Sequence, residues 1–233
     1  MRRRTYSRNR AGFSLIELLV VIAVIAIMTA LAVPAFHSVR GAGSLAKAAS
    51  DISGTLQQAR SYAMSQNTYV YVGLQEVDAL QPTASDGIGR VVIAAVASKS
   101  GTRPSNVASD SIAISKAQLL DGTHITNASA LGAAGGMAER ETNYSSLGDS
   151  TAASQFQFGW PLGGTAKYSF KKVIEFDPQG VARLQTSAGG SSQVERGFEI
   201  ALSPARGNSA ATNANQAAIQ INGITGAVRI FRP

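Results

Sequence analysis

The chain has no cysteine, which excludes disulfide frameworks, thiol nucleophiles and cysteine-ligated zinc together. The absence does not fix a compartment, because 233 residues are enough to bury a core without cross-links. Histidine is almost as scarce. His37 and His124 are far apart in the chain, so a histidine-based catalytic pair or metal site would need contacts that spacing does not announce, and each reads as a surface residue. GGTAK, residues 163–167, lacks the spacing of a phosphate-cradling loop. No cofactor or metal is expected, and no enzyme activity. Acidic residues are missing from the first twelve positions, MRRRTYSRNRAG, which hold Arg2, Arg3, Arg4, Arg8 and Arg10. These five arginines account for five of the formal +7 charges, leaving +2 for the remainder. A body so close to neutral lacks the clustered cations that neutralise phosphates, so nucleic acid is not an expected partner.

What is present is a long apolar run. From Leu18 to Phe36, Thr29 is the only residue that is neither apolar nor proline. Phe13 to Val33 is 21 residues, which at the rise of an α-helix reach about 31 Å, the thickness of a hydrocarbon core. The preceding arginines put the N-terminus in the cytoplasm and everything after Pro34 on the far side of an inner membrane, as a single pass with a periplasmic domain. A cleavable secretory signal also has a basic start and an apolar run, and Ala30, Ala32 and Ala35 mimic its cleavage site. Neither that reading nor a plain signal anchor accounts for Glu17, a carboxylate near the start of the run.

Gly12, Phe13, Ser14, Leu15, Ile16 and Glu17, followed by the apolar helix and Pro34, resemble the class III signal of type IV pilins and type II secretion pseudopilins. The resemblance implies that a prepilin peptidase cuts between Gly12 and Phe13 and methylates the new amine of Phe13, and that Glu17 is recognised during methylation and subunit addition. In physical terms, the freed amine supplies a cation for the carboxylate, and Glu17 of one chain can meet Phe13 of a neighbour in a filament. Pro34 is then a helix kink. The implied partners are the prepilin peptidase, other pseudopilins or pilins in a filament, and the inner membrane.

Downstream, Leu45, Ala49, Ile52, Leu56, Ala59 and Ala63 step by four and three, the stripe of a helix that packs one face. The run LQQARSYAMSQN, Leu56 to Asn67, resembles the end of that helix in the GspH/FimT branch of pseudopilins and minor pilins, although a helix ended by Asn67 explains the same residues. After it come short β-rich runs at Thr68–Leu74, Arg90–Ala97, Ser111–Ser115, Tyr168–Phe176, Val181–Gln185, Phe198–Ser203, Ala217–Ile221 and Ala227–Phe231. Asp177-Pro178-Gln179-Gly180 reads as a turn, and Asn222-Gly223 with Thr225-Gly226 breaks the last two strands. Lys171, Lys172, Glu175 and Asp177 read as solvated strand faces and a turn, and Trp160 as a buried aromatic.

The expected fold is therefore α+β and pilin-like: a long N-terminal membrane-spanning helix whose second half packs on a C-terminal antiparallel β-sandwich. Its parts are a leader over 1–12, a spanning and filament-core helix over 13–35, an amphipathic helix over 36–67, and a β-rich domain over 68–233 with inserted loops about 83–164. Two functions follow from the resemblance. One is a minor pseudopilin, a structural subunit of a type II secretion-like pseudopilus assembled through its helix. The other is a DNA-binding minor pilin of an uptake pilus, whose relatives use a basic Gly-Arg-x-Arg stretch; here it reads Gly226, Ala227, Val228, Arg229. With Ala227 in place of the first arginine, only Arg229 and Arg232 are left as a weak phosphate contact.

Overall fold

The computed structural model describes residues 15–81, 84–104, 106–131, 137, 139–147, 156–185, 194–211 and 215–232, without the side chains of 30–42 and 185. The chain divides into two units, Met1–Arg40 and Gly41–Pro233. Helix α1 (Leu15–Gln66) contributes to both. It ends at Asn67, whose φ of 48° is left-handed, and the Thr68 N–H donates to the Ala63 carbonyl at 3.1 Å, closing the last turn.

In the first unit Glu17 lies in the opening turn of α1, and the apolar side chains from Leu15 to Met28 are exposed on every side of the helix. The Thr29 hydroxyl donates to the carbonyls of Ile25 and Ala26. The expectation of a membrane-spanning helix is overturned: no helix among the described residues is long and apolar enough to cross a membrane. The 21-residue estimate counted Phe13, Ser14 and the side chains from Ala30 to Val33, which lie outside the described residues. The single-pass inner-membrane location and the pseudopilus subunit assembled through a spanning helix fall with it. The leader over 1–12, with Gly12, and Phe13 also lie outside the described residues.

In the second unit, strands β1 (Val70–Asp78), β2 (Gly89–Ser98), β3 (Ser111–Ala113) and β4 (Gln118–Asp121) are followed by β5 (Thr123–Thr126), a 3-10 turn (Ala128–Ala130), β6 (Ser145–Ser146) and β7 (Phe158–Trp160). Then come β8 (Tyr168–Phe170), β9 (Lys172–Phe176), β10 (Ala182–Gln185), β11 (Gly197–Arg206), β12 (Ser209–Ala210), β13 (Ala217–Asn222) and β14 (Val228–Phe231). The first sheet is antiparallel, in the order β10-β9-β1-β2-β3, with β4 on the same edge of β2 as β3. The second runs β12-β11-β13-β14, with β5 antiparallel and β6 parallel to β11. β7 and β8 form a separate ribbon. The sequence reading put one strand over Tyr168–Phe176 where two are found, and it missed β4 to β7 and β12. None of the missed strands exceeds four residues, too short for alternation to register.

The two-residue period of a strand divides the side chains between two cores. Val70, Val72 and Leu74 of β1 and Val91, Ile93, Ala95 and Ala97 of β2 face inward, where they meet Leu45, Ala49, Ile52, Leu56, Ala59 and Ala63 of α1 and Phe198, Ile200, Leu202, Ile219 and Ile221 of the second sheet. The residues between them, Tyr71, Val92, Ala94 and Val96, face outward and are buried too, under Val107, Phe156, Phe158 and Phe170. Gly73 makes room for this outer layer, since a Cβ there would collide with the Phe170 side chain and the Phe158 ring. The centre of the first sheet is thus covered on both faces, which is why β2 reads as a nearly continuous apolar run.

The outer layer buries charge as well. Glu175 is fully buried, with Arg103 Nη2 2.6 Å and Arg183 Nη1 3.4 Å from its Oε1. Arg183 also reaches Asp177 at 2.8 Å, and Asp177 accepts from the N–H groups of Gln179 and Val181. Glu175 and Asp177 are therefore not solvated strand-face and turn residues. Burial would lower the Arg103 pKa, but the hydrogen bond and charge of Glu175 outweigh it and hold the guanidinium above its ordinary value. The Tyr71 phenol is pushed well above the usual tyrosine range, first by burial and then by the Glu175 charge.

Two outcomes follow. Leu56→Ala, in the centre of the shared core, lowers unfolding stability by about 2–5 kcal/mol in a denaturant titration. Tyr71 has its folded pKa raised, so its contribution is fully present below the unfolded value of about 10 and is lost as pH climbs past it. Alkaline melting curves should show a steeper loss of stability above that pH for the wild type than for Tyr71→Phe.

Candidate functional site

On the second sheet, Phe198, Ile200 and Leu202 of β11 point into the core, so Glu199 points out. The same parity turns Gln220 of β13 outward between Ile219 and Ile221, and Arg229 of β14 outward beside the inward Val228. Register places the three in one row across the sheet, Glu199 opposite Gln220 and Gln220 opposite Arg229. Glu199 and Gln220 are buried. Arg140 Nη1 lies 2.7 Å from Glu199 Oε1, and Gln220 Nε2 donates to Glu199 Oε2 at 2.6 Å and to the Glu141 carbonyl at 2.7 Å. The Glu141 N–H donates back to Gln220 Oε1 at 3.2 Å. Every polar group of the Gln220 amide is thus engaged, and the residues around Arg140 and Glu141 are held on the sheet.

Beyond this floor is a cavity of about 400 Å³, walled by Glu139, Glu141, Tyr144, Arg196, Arg229 and Phe231. The Tyr144 ring lies against Gly197, where a Cβ would strike two of its carbons. Arg196 Nη2 stands 3.9 Å from Glu141 Oε2, an ion pair without hydrogen-bond contact. Asn222 Oδ1 accepts from the N–H groups of Ile224 and Thr225 and holds the turn at the rim. At that turn Gly226 has a φ of +65°, and a Cβ there would collide with the Gly180 carbonyl and the Arg60 side chain.

The residues singled out from sequence are not gathered in one place. Glu17 is exposed in the first turn of α1. The backbone at Pro34 lies within α1, and its side chain, like that of His37, is outside the described residues. Arg229 lines the cavity, whereas Arg232 Nη2 donates to the Ala46 carbonyl at 2.9 Å. The two cations do not form a joint phosphate contact, because residues an odd number apart on extended chain face opposite ways. His124 is half-buried rather than a surface residue, its Nδ1 2.7 Å from Glu76 Oε1. Lys171 Nζ reaches Asp86 Oδ2 at 2.7 Å. That hydrogen bond, with one from Gln75, holds the Asp86 carboxyl below its usual range. Among the described residues no group of three or more histidine and carboxylate side chains is placed to hold a metal ion.

Sequence reasoning missed Arg140, Glu199, Gln220 and Tyr144. Their one signal was a polar residue in the middle of each of two apolar strands, and it becomes legible only when the register brings the two opposite each other.

The prokaryotic N-terminal methylation motif matches residues 7–33. The chain carries an N-terminal methylation and cleavage motif typical of prepilin-like proteins in general, and the match singles out no branch among them. No curated protein and no solved structure matches the chain.

Arg140→Ala strips Glu199 of its cation while leaving it buried, and lowers unfolding stability by about 3–5 kcal/mol in chemical denaturation. Arg140→Lys retains the charge and recovers part of that loss.

Proposed function

We propose that this chain is a pilin-like protein, cut between Gly12 and Phe13 by a prepilin-type peptidase and methylated on the new amine of Phe13, and that Gly41–Pro233 is a non-catalytic binding domain. The observation that carries the reading is the methylation motif over residues 7–33. Gly12 suits the cut because a residue without Cβ lets the backbone approach catalytic groups closely. Glu17 lies in the first turn of α1, where a carboxylate is favoured by the helix dipole, and follows Phe13, whose amine cleavage would free, by four residues in the sequence. The non-catalytic reading is supported by the work the buried carboxylates already do: Glu175, Asp177 and Glu199 are each paired with arginine inside the fold.

The finer assignment, to the GspH/FimT branch, belongs to this proposal. It is supported by the order of a helix ended at Asn67, a strand, and a closing hairpin that turns at Gly226. The proposed partners are a prepilin-type peptidase and other pilin-like proteins. Nucleic acid is disfavoured because Arg229 shares its cavity with Glu139 and Glu141, which cancel the field that phosphates need.

Coexpression of the full chain with a prepilin-type peptidase, followed by intact-mass measurement, tests the reading. The expected product lacks residues 1–12 and carries one added methyl group. Retention of the leader, under conditions in which a control prepilin is cut, overturns it. Glu17→Gln should still be cut while the unmethylated share rises.

A further inference from the structure

The cavity above Gln220 has features that the processing of the leader neither uses nor explains. We propose that it binds a neutral, hydroxyl-rich ligand: one or two sugar rings of a saccharide.

Four observations point to that chemistry. The volume of about 400 Å³ lies within the range of small-molecule sites, about 300–1,000 Å³. The walls hold two carboxylates, Glu139 and Glu141, and two guanidiniums, Arg196 and Arg229, so the site is balanced in charge. A phosphate chain or a polycation meets its own sign there as often as the opposite one. The charged groups are also poorly spent on each other: Arg196 and Glu141 stand 3.9 Å apart, and neither Glu139 nor Arg229 has an ion pair or hydrogen bond among the described residues. A sugar hydroxyl is donor and acceptor at once, so neighbouring hydroxyls on one ring can give to a carboxylate and take from a guanidinium together. Finally, the cavity wall is mostly polar, with Tyr144 and Phe231 the aromatic residues that line it, which suits a ligand that is hydroxyl-rich over most of its surface.

The site is also preorganised. Gln220 is pinned by Glu199 and by both backbone groups of Glu141, and Tyr144 is seated on Gly197. The floor and one wall therefore keep their shape without ligand, and binding orders few side chains.

The full chain is screened on a glycan array of neutral, sialylated and sulfated saccharides. Titration calorimetry follows with the strongest neutral disaccharide, a heparin disaccharide, duplex DNA and an Arg-Glu dipeptide. The expected result is binding of a neutral saccharide with little salt dependence, weakened about tenfold or more by Arg229→Ala and by Glu139→Gln, with melting temperature and circular dichroism unchanged. Arg206→Ala, away from the cavity walls, leaves affinity as it was. The proposal is overturned if no neutral saccharide binds, if binding survives both cavity variants, or if DNA, the heparin disaccharide or the dipeptide binds more tightly. These outcomes are independent of whether residues 1–12 are removed.

Discussion

Each of the two main sheets buries a glutamate on its outer face, and each glutamate is answered by an arginine delivered from the stretch between β2 and β7. Glu175 receives Arg103 and Glu199 receives Arg140, at 2.6 and 2.7 Å. A lone carboxylate under a covering layer costs several kcal/mol, so the sheet surface and the loop above it are stable only together. The consequence is positional: wherever the arginine docks, the rest of its loop is held. Register extends each pair into a row, Tyr71, Glu175 and Arg183 on the first sheet and Glu199, Gln220 and Arg229 on the second. The first row is closed over by the aromatic cluster around Phe156 and Phe170. The second is left partly open, and the cavity lies there.

The inner core needs no such device. Among the described residues it holds no ion pair amid its apolar side chains, and the helix joins it with small residues, Ala48, Ala49, Ala59 and Ala63, around the larger Ile52 and Leu56. Small side chains let the helix axis approach the sheets closely, while the two large ones fill the space between them. The division of labour is clear in energetic terms. Burial of apolar surface between α1 and the two sheets supplies the stability, and the paired charges on the outside fix which loop covers which face.

The stripe from Leu45 to Ala63 was legible because a helix packed on one side imposes its period on the sequence, and those side chains are the buried ones. Long strands such as β2 and β11 were legible as apolar runs, and the turn at Asp177–Gly180 from its residue types; Gly180 indeed has a φ of +80°. The site was hardly legible. Arg140 and Glu199 lie 59 residues apart, and nothing local in MAERE marks an arginine that will be buried. Glu175 and Asp177 looked solvated because Ile174, Glu175, Phe176 and Asp177 alternate apolar and charged, the pattern of a strand with one wet face. The missing information was that an outer layer from distant parts of the chain, Val107, Phe156 and Phe158 among it, covers that face.

The C-terminal stretch Gly226-Ala227-Val228-Arg229 shows how one departure from a pattern changes the chemistry available. Gly226 is spoken for by the fold, since only a residue without Cβ fits between the Gly180 carbonyl and Arg60. Val228 turns inward to the core, so Ala227 and Arg229 share the outer face and both line the cavity. An arginine at 227 would add a third cation to a site with two carboxylates and would occupy part of its volume with a long side chain. The alanine does the opposite on both counts: it leaves the charges balanced and the space open. With alanine at 227 the hollow keeps balanced charges and polar walls, the combination on which the proposed preference for hydroxyl groups over phosphates rests.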